Sequence, residues 1–413
     1  MNNIIYNYKS FKSVHNLKLS NLLDKKMYFT GSFSYAQKYK KNNLICLRDS
    51  AGSRKIFYGI HKKKRKLIFS DNYLSLKKDC DLKSIFSTPK GSLVIINSSG
   101  NIIYQNKISI QKVKFSKYFT SVIKKNLIKY LKEIKKKHGN KCIVCLSGGL
   151  DSTIIAYYAN KVFDSTIALT ASFGNNKTQS LDAIHAKKIS KFLNIKNISL
   201  NSNYHAIRKE LKNILFSAQD WKDYNIHCAT LNFFIAKYLN KKNIKIPILT
   251  GDMMNEYFAD YQNEIFDGKF YYQKPKISKK LYQKYLINSL DSSSREIGVF
   301  NYFNINLFQP YSALIDIYNN IPNKIFKKSD CKYEINGKLI PKSLLKLILK
   351  SKNRAQLVDD HGGILGYFIR NKMDQKYLFN KYKKFFHLKN SWITNFINVG
   401  LFRSKSLINS SKF

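Results

Sequence analysis

Acidic side chains are scarce in this sequence. Asp and Glu number 25 in 413 residues, against 73 Lys and Arg, which leaves a formal net charge of +48. Long apolar runs are missing too. Nothing approaches the roughly 20 residues that a bilayer-spanning helix needs. The first residues, MNNIIYNYKSFKS, lack the apolar core of a signal peptide. The expectation is a soluble, cytoplasmic protein with no membrane partner. Cysteines are few and scattered, at positions 46, 80, 142, 145, 228 and 331. Cys142 and Cys145 form a CxxC, but no second Cys or His pair stands at ligand spacing, and residues three apart on a strand point to opposite faces. That favours a structural role over a redox or zinc site. The common kinase-type phosphate loop, G-x-x-x-x-G-K-S/T, is absent as well.

The length suffices for more than one domain with a full core, and a hydrophobic content of 44% is ordinary for a globular protein. The basic excess has two explanations. One is a nucleic-acid or anionic-surface partner. The other is composition, since Lys, Asn, Ile, Tyr and Phe are all abundant. The lysines run along the whole chain, as at Lys62–Lys64 and Lys135–Lys137, and are not gathered in one arm. That dispersal favours composition, and attraction of small anions follows either way.

The chain is organised around residues 141–160, KCIVCLSGGLDSTIIAYYAN. Lys141 to Leu146 is an apolar run of strand type. Ser147 to Ser152, SGGLDS, is a turn with adjacent glycines. Thr153 to Asn160 is apolar enough for a helix packed on a sheet. A strand, a Gly-rich turn and a helix N-terminus make an anion site, because the first N–H groups of a helix lack intrahelical partners and point into the turn. Gly148 and Gly149 allow close approach to a ligand. Ser147 and Ser152 add hydroxyl donors. Asp151 beside a phosphate is repulsive without a cation between them, which points to Mg²⁺ with a polyphosphate.

SGGLDS resembles the PP-loop of ATP pyrophosphatases, which cleave ATP between the α and β phosphates. Downstream, strand and helix patterns alternate. Strands are expected at 166–173, 197–200 and 246–250, and helices at 180–193, 204–216 and 227–239. The predicted fold class is α/β, a doubly wound parallel sheet with ligands at the carboxyl ends of its strands, preceded by a smaller β-rich N-terminal domain. The expected divisions are 1–110 (β-rich), 111–138 (helical connector), 139–372 (ATP-binding domain) and 373–413 (basic tail).

Two further stretches extend the resemblance to asparagine synthetases. Gly251 to Tyr261, GDMMNEYFADY, is similar to their G-D/E-G-A-D-E-x-x-x-G-Y segment. The order RDSAGSRKIFYGI, LIFSDNYLSL, STPKGSLVIINSSGNI resembles the last part of the class II glutamine amidotransferase domain that precedes the synthetase domain. Here the departures matter. That domain uses a cysteine at position 2, where this chain has Asn2, so the front domain is expected to be a remnant without glutaminase activity. Asn255 replaces the family's metal-binding aspartate, and Met253 and Met254 replace two small residues. In LFQPY, Pro310 and Tyr311 match, whereas Phe308 and Ala313 stand for an arginine and an aspartate.

The resemblance implies an AMP-forming carbon–nitrogen ligase that uses ATP and Mg²⁺. It would adenylate a small-molecule carboxylate, release pyrophosphate and pass the acyl group to ammonia or an amine. Nucleotide binding would fall to Ser147, Gly148, Gly149, Asp151, Ser152, Ser172 and Gly251, and metal binding to Asp151, Asp252 and Asn255. Catalysis would fall to Glu256 and Lys352, with Lys350 and Arg354 as alternatives to the lysine. A flexible loop at Gly362–Gly363 could close over the site. A tRNA-modifying PP-loop enzyme and a non-catalytic scaffold are the alternative functions, a nucleic-acid partner is not expected, and a homodimer is left open.

Overall fold

A computed structural model describes residues 4–8, 32–40, 42–71, 75–76, 78–81, 85–108, 116, 118–173, 181–221, 223–261, 264–266, 269–272, 276–289, 292–328, 330–350, 369 and 372–386. Strands come first among them: β1 (Ile4–Tyr8), β2 (Ser32–Tyr39), β3 (Asn43–Arg48), β4 (Phe57–Ile60), β5 (Leu67–Ser70), β6 (Phe86–Ser87), β7 (Ser92–Ile96) and β8 (Ile102–Lys107). They form an antiparallel sheet ordered β1-β2-β3-β7-β8 and a smaller one ordered β5-β4-β6. Side chains alternate across the larger sheet, as the period of a strand requires. Phe33, Tyr35, Ile45 and Leu47 pack on one face, while Ala36, Leu44, Cys46 and Val94 pack on the other with Ile56, Tyr58 and Leu67 of the smaller sheet. The sequence pattern gave no strand before Asn43, so β1 and β2 are additions.

Helix α1 (Phe119–His138) follows. Its buried residues Phe119, Ile123, Leu127, Tyr130, Leu131 and Ile134 recur at helical spacing. Lys135, Lys136, Lys137 and His138 crowd its last turn, where positive charge complements the helix dipole. Then come β9 (Lys141–Cys145), α2 (Leu150–Val162), β10 (Ser165–Phe173), α3 (Leu181–Phe192), β11 (Lys196–Ser202), α4 (Tyr204–Ala218), α5 (Asp223–Lys241), β12 (Ile248–Leu249) and α6 (Met254–Phe258). A hairpin of β13 (Glu264–Phe266) and β14 (Lys269–Tyr272) leads to α7 (Lys279–Ser289), α8 (Ser292–Tyr302) and β15 (Leu307–Phe308). Short helices close the described chain, among them α9 (Ile315–Tyr318), α10 (Asn323–Phe326), α11 (Cys331–Asn336), α12 (Lys342–Leu349) and α13 (Gln375–Phe386).

The central sheet is ordered β11-β10-β9-β12-β15, and its pairings are parallel. Its central strands β9 and β12 are buried on both faces, which is why they read as continuous apolar runs and not as alternating ones, while the edge strand β11 is partly exposed. Cys142 and Val144 belong to the core that holds α1 and α2, whereas Ile143 belongs to the core that holds α4, α5 and α8. This is a doubly wound α/β fold, as the alternation of elements predicts. Strand order reverses between β9 and β12, so the crevice beyond their carboxyl ends is where such a sheet binds ligands. All six cysteines are free thiols. No helix among the described residues is long and apolar enough to cross a membrane.

Candidate active site

The two chemical clusters meet at that reversal. β9 ends in the SGGLDS loop and β12 ends in Thr250–Glu256. Residues of both line one cavity of about 480 Å³. The loop holds itself in shape. Ser147 N donates to Ser152 Oγ (3.2 Å), the two hydroxyls lie 3.0 Å apart, and Ser152 Oγ donates to Gly149 O (3.3 Å). Gly148 has φ +85°, and a Cβ there would come within 3.0 Å of His185 Cδ2 and 3.2 Å of Ala186 N. A Cβ on Gly251 would lie 2.7 Å from Ser152 N. Gly251 thus lets the β12 turn press against the first turn of α2. Tyr311 of LFQPY braces that turn from below, with its hydroxyl donating to Asp151 O (3.0 Å) and its carbonyl accepting from Tyr257 OH (2.9 Å).

Of the expected nucleotide-binding residues, Ser147, Asp151, Ser152 and Gly251 line the cavity. Ser172 lies at the end of β10 in a neighbouring cavity of about 220 Å³, with its hydroxyl 3.3 Å from Asn201 Oδ1. Glu256 is buried and lines the main cavity, and its Oε1 accepts from Tyr261 OH at 2.9 Å. Met253 holds φ +85° with its side chain buried, a backbone state that fits the small residue the resemblance expects there and strains a methionine. Lys352 and Arg354 lie outside the described residues, as do Asp359, Asp360, His361 and the Gly362–Gly363 loop. Lys350 is exposed at the end of α12.

The three expected metal ligands do not share one partner. Asp252 Oδ2 accepts from Thr250 Oγ1 (2.6 Å) and Gln309 Nε2 (3.4 Å). Asp151 Oδ2 and Asn255 Oδ1 instead both meet Lys332 Nζ, at 2.7 and 2.6 Å. Asp260 Oδ2 stands 3.4 Å from the same ammonium. Burial works against the charged form of Lys332, but Asp151 and Asp260 outweigh it and raise the ammonium above the ordinary lysine range. Among the described residues, no group of three or more His, Cys, Asp or Glu could hold a metal ion. An ammonium hydrogen-bonded to both oxygens does not fit a divalent ion between Asp151 and Asn255.

The cavity is also lined by Arg295 and Glu296 from α8. Arg295 Nη1 donates to Asn225 Oδ1 (2.8 Å), Asn225 Nδ2 donates to Asp220 Oδ2 (2.6 Å), and Arg295 Nε pairs with Glu296 Oε1. Glu296 is fully buried, and its Oε2 has no hydrogen-bond partner. Burial pushes its carboxyl up to about 8, against the pull of Arg295. Asp252 is pushed up by burial too, with Thr250 and Arg295 opposing. Neither Lys332 nor the Arg295–Glu296 pair was singled out by sequence. SSREIG in an aromatic-rich helical stretch carries no motif, and Lys332 is one of many lysines.

Residues 137–297 match the family model for asparagine synthase. No curated protein matches the chain. Among solved structures, an NMN synthetase from Francisella tularensis is similar at 18% identity over 60% of this chain and 97% of that one, with a TM-score of 0.27. The U34-tRNA thiolase NcsA from Methanococcus maripaludis is similar at 16% identity over 66% and 80%, with a TM-score of 0.28. At such scores the strand order and the family match carry the fold.

Proposed function

With an asparagine synthase domain over residues 137–297 as the premise, we propose that this protein is an ATP-dependent, AMP-forming amide ligase. A carboxylate oxygen of the first substrate attacks the α-phosphorus of ATP, the bond from that phosphorus to the α,β-bridging oxygen breaks, and pyrophosphate leaves. The nitrogen of ammonia or an amine then attacks the acyl carbon and loses a proton, and AMP departs. The observation that carries this reading is the convergence of the SGGLDS loop and the Gly251–Glu256 turn on one cavity at the strand-order reversal.

Each wall has a task in this scheme. The Ser147 and Ser152 hydroxyls and the open first turn of α2 hold the leaving pyrophosphate. Lys332 is the fixed cation beside the loop, in a buried setting where a charge acts over a low dielectric. Glu256, held by Tyr261 OH, accepts the proton of the attacking nitrogen. Arg295, Glu296 and Asp252 line the acceptor side. Most of the rate comes from positioning the two substrates.

The front sheets supply no glutaminase in this scheme. Cys46 is buried in β3, and burial pushes its thiol far up. Arg48 donates to Thr88 O (3.0 Å) and Gly52 O (2.6 Å), so its guanidinium is occupied by backbone carbonyls. Asp49 accepts from Ser53 N (3.0 Å) and Ser53 Oγ (2.9 Å). In this scheme ammonia or an amine enters from solution.

ATP–pyrophosphate exchange across a panel of α- and β-amino-acid carboxylates tests the proposal. Exchange that needs one of these acids and vanishes in Asp151→Ala supports it. ATP binding with no exchange for any acid, or exchange unaffected by the substitution, overturns it.

A further inference from the structure

Lys332 is 7% exposed and enters the loop region from α11. Its ammonium has three N–H donors. Two are used at normal hydrogen-bond length on Asp151 Oδ2 and Asn255 Oδ1, and Asp260 Oδ2 stands at the longer 3.4 Å. The resemblance noted above expects an aspartate at 255 and a divalent ion between it and the loop aspartate. A dication between two carboxylates sums to zero charge. An ammonium between one carboxylate and one amide also sums to zero, and Asp260 stands beside either arrangement. Buried charge is tolerated only when it is balanced and hydrogen-bonded. Asn255 and Lys332 are thus complementary halves of one exchange. The exchange of aspartate for asparagine and of a dication for an ammonium leaves the net charge beside Asp260 unchanged, whereas aspartate at 255 with this lysine would add a further negative charge.

Room argues the same way. Mg²⁺ needs oxygen ligands at about 2.0–2.1 Å in near-octahedral array. An ammonium within hydrogen-bond reach of both oxygens occupies that volume and repels a second cation. Asp151 Oδ1 is buried and without a hydrogen-bond partner.

We propose that the Lys332 ammonium replaces a protein-bound divalent ion between Asp151 and Asn255, so that this chain ligates no metal there. The inference rests on the ligase reading only for what lies above the loop. The cation exchange itself concerns Asp151, Asn255 and Lys332 alone. Any divalent ion in the reaction arrives bound to the nucleotide phosphates and leaves with them, and Lys332 stays as the fixed positive charge.

Mn²⁺ titrations followed by electron paramagnetic resonance test this, with the full chain alone and with the non-hydrolysable ATP analogue AMPCPP. The comparison protein is Asp151→Asn, which keeps the shape of the side chain. Expected without nucleotide is no bound Mn²⁺ at millimolar concentration. Expected with AMPCPP is one ion per chain, held no more weakly in Asp151→Asn. A bound ion without nucleotide that is lost in Asp151→Asn overturns the proposal. So does a second ion with AMPCPP, or a single ion weakened by the roughly 10–100-fold that loss of a metal-site partner costs. If AMPCPP does not bind at all, the nucleotide-site reading fails, and the nucleotide-free titration still decides between lysine and metal.

Discussion

Glu296 is a carboxyl in an environment that a glutamate does not prefer. It is fully buried, one oxygen is without a partner, and its carboxyl is pushed up to about 8 by burial. In the unfolded chain it ionises near an ordinary glutamate value, about 4.3. Below that, both states hold the proton and its contribution is fully present. Between there and about pH 8 the unfolded state gives up the proton and the folded state keeps it, so stability falls as pH rises, by about 1.4 kcal/mol per unit for one proton. Glu296→Gln removes this loss and keeps an oxygen for Arg295 Nε. Thermal melts should therefore show the variant gaining on the native protein steadily from pH 5 to pH 8, and equal melting-temperature differences at both ends would refute the buried-proton account. Lys332 teaches a related lesson. One lysine among so many has no local mark, and its partner Asp151 lies far away in sequence, so only the folded chain reveals the pairing.

At the level of helices, strands and turns, the strand–turn–helix unit of β9, the SGGLDS loop and α2 does most of the positioning, and Gly251 sets how near the second turn can come. A Cβ at 251 would lie 2.7 Å from Ser152 N and 2.9 Å from Asp151 C, both backbone atoms that cannot swing aside. Gly251→Ala should cost about 1–3 kcal/mol by overpacking and should weaken nucleotide binding by calorimetry, because the turn it displaces carries the Ser152 N–H. Unchanged binding would show that the loop tolerates the shift. These two turns were legible in sequence because each is contiguous, and its chemistry and glycines sit within a dozen residues. The parallel strands β9 to β12 were legible as short apolar runs between turn signals, whereas the two-residue strand β15 was not. The strands β1 and β2 were missed, although Phe33 and Tyr35 alternate with Ser32 and Ser34; that alternation is short, and β1 is held by pairing with β2 and β2 by pairing with β3. The cavity-lining pair Arg295 and Glu296 was hidden for the same physical reason as Lys332. Its residues converge through packing of α8 against α5 and α4, which no local pattern reports.

The β-rich front and the part built on the parallel sheet share cores and are not merely tethered. Phe57, Leu76, Cys80 and Ile85 pack in one cluster with α4, α5 and α8. Arg54 Nη2 donates to Leu307 O (3.0 Å) and Lys90 Nζ donates to Ile287 O (2.8 Å). Calorimetry should accordingly give a single unfolding transition. Arg54→Ala should lower its midpoint without splitting it, whereas two resolved transitions would mean that the front half folds by itself. The net charge of +48 acts over the entire surface. Like charges in such excess repel within the folded chain, and salt screens them over a Debye length of about 10 Å at 0.1 M. The melting midpoint should rise on going from very low ionic strength to that range, and a fall would show that attractive pairs dominate instead.

The proposed function turns on formation of an acyl-adenylate at the loop, and isotope transfer examines it directly. The carboxylate that supports exchange is labelled with ¹⁸O at both oxygens, incubated with ATP and an amine, and the nucleotide product is analysed by mass spectrometry. The account predicts AMP carrying one ¹⁸O, because the attacking oxygen stays on the α-phosphorus when the amide forms. Unlabelled AMP, or label in inorganic phosphate alongside ADP, would contradict it.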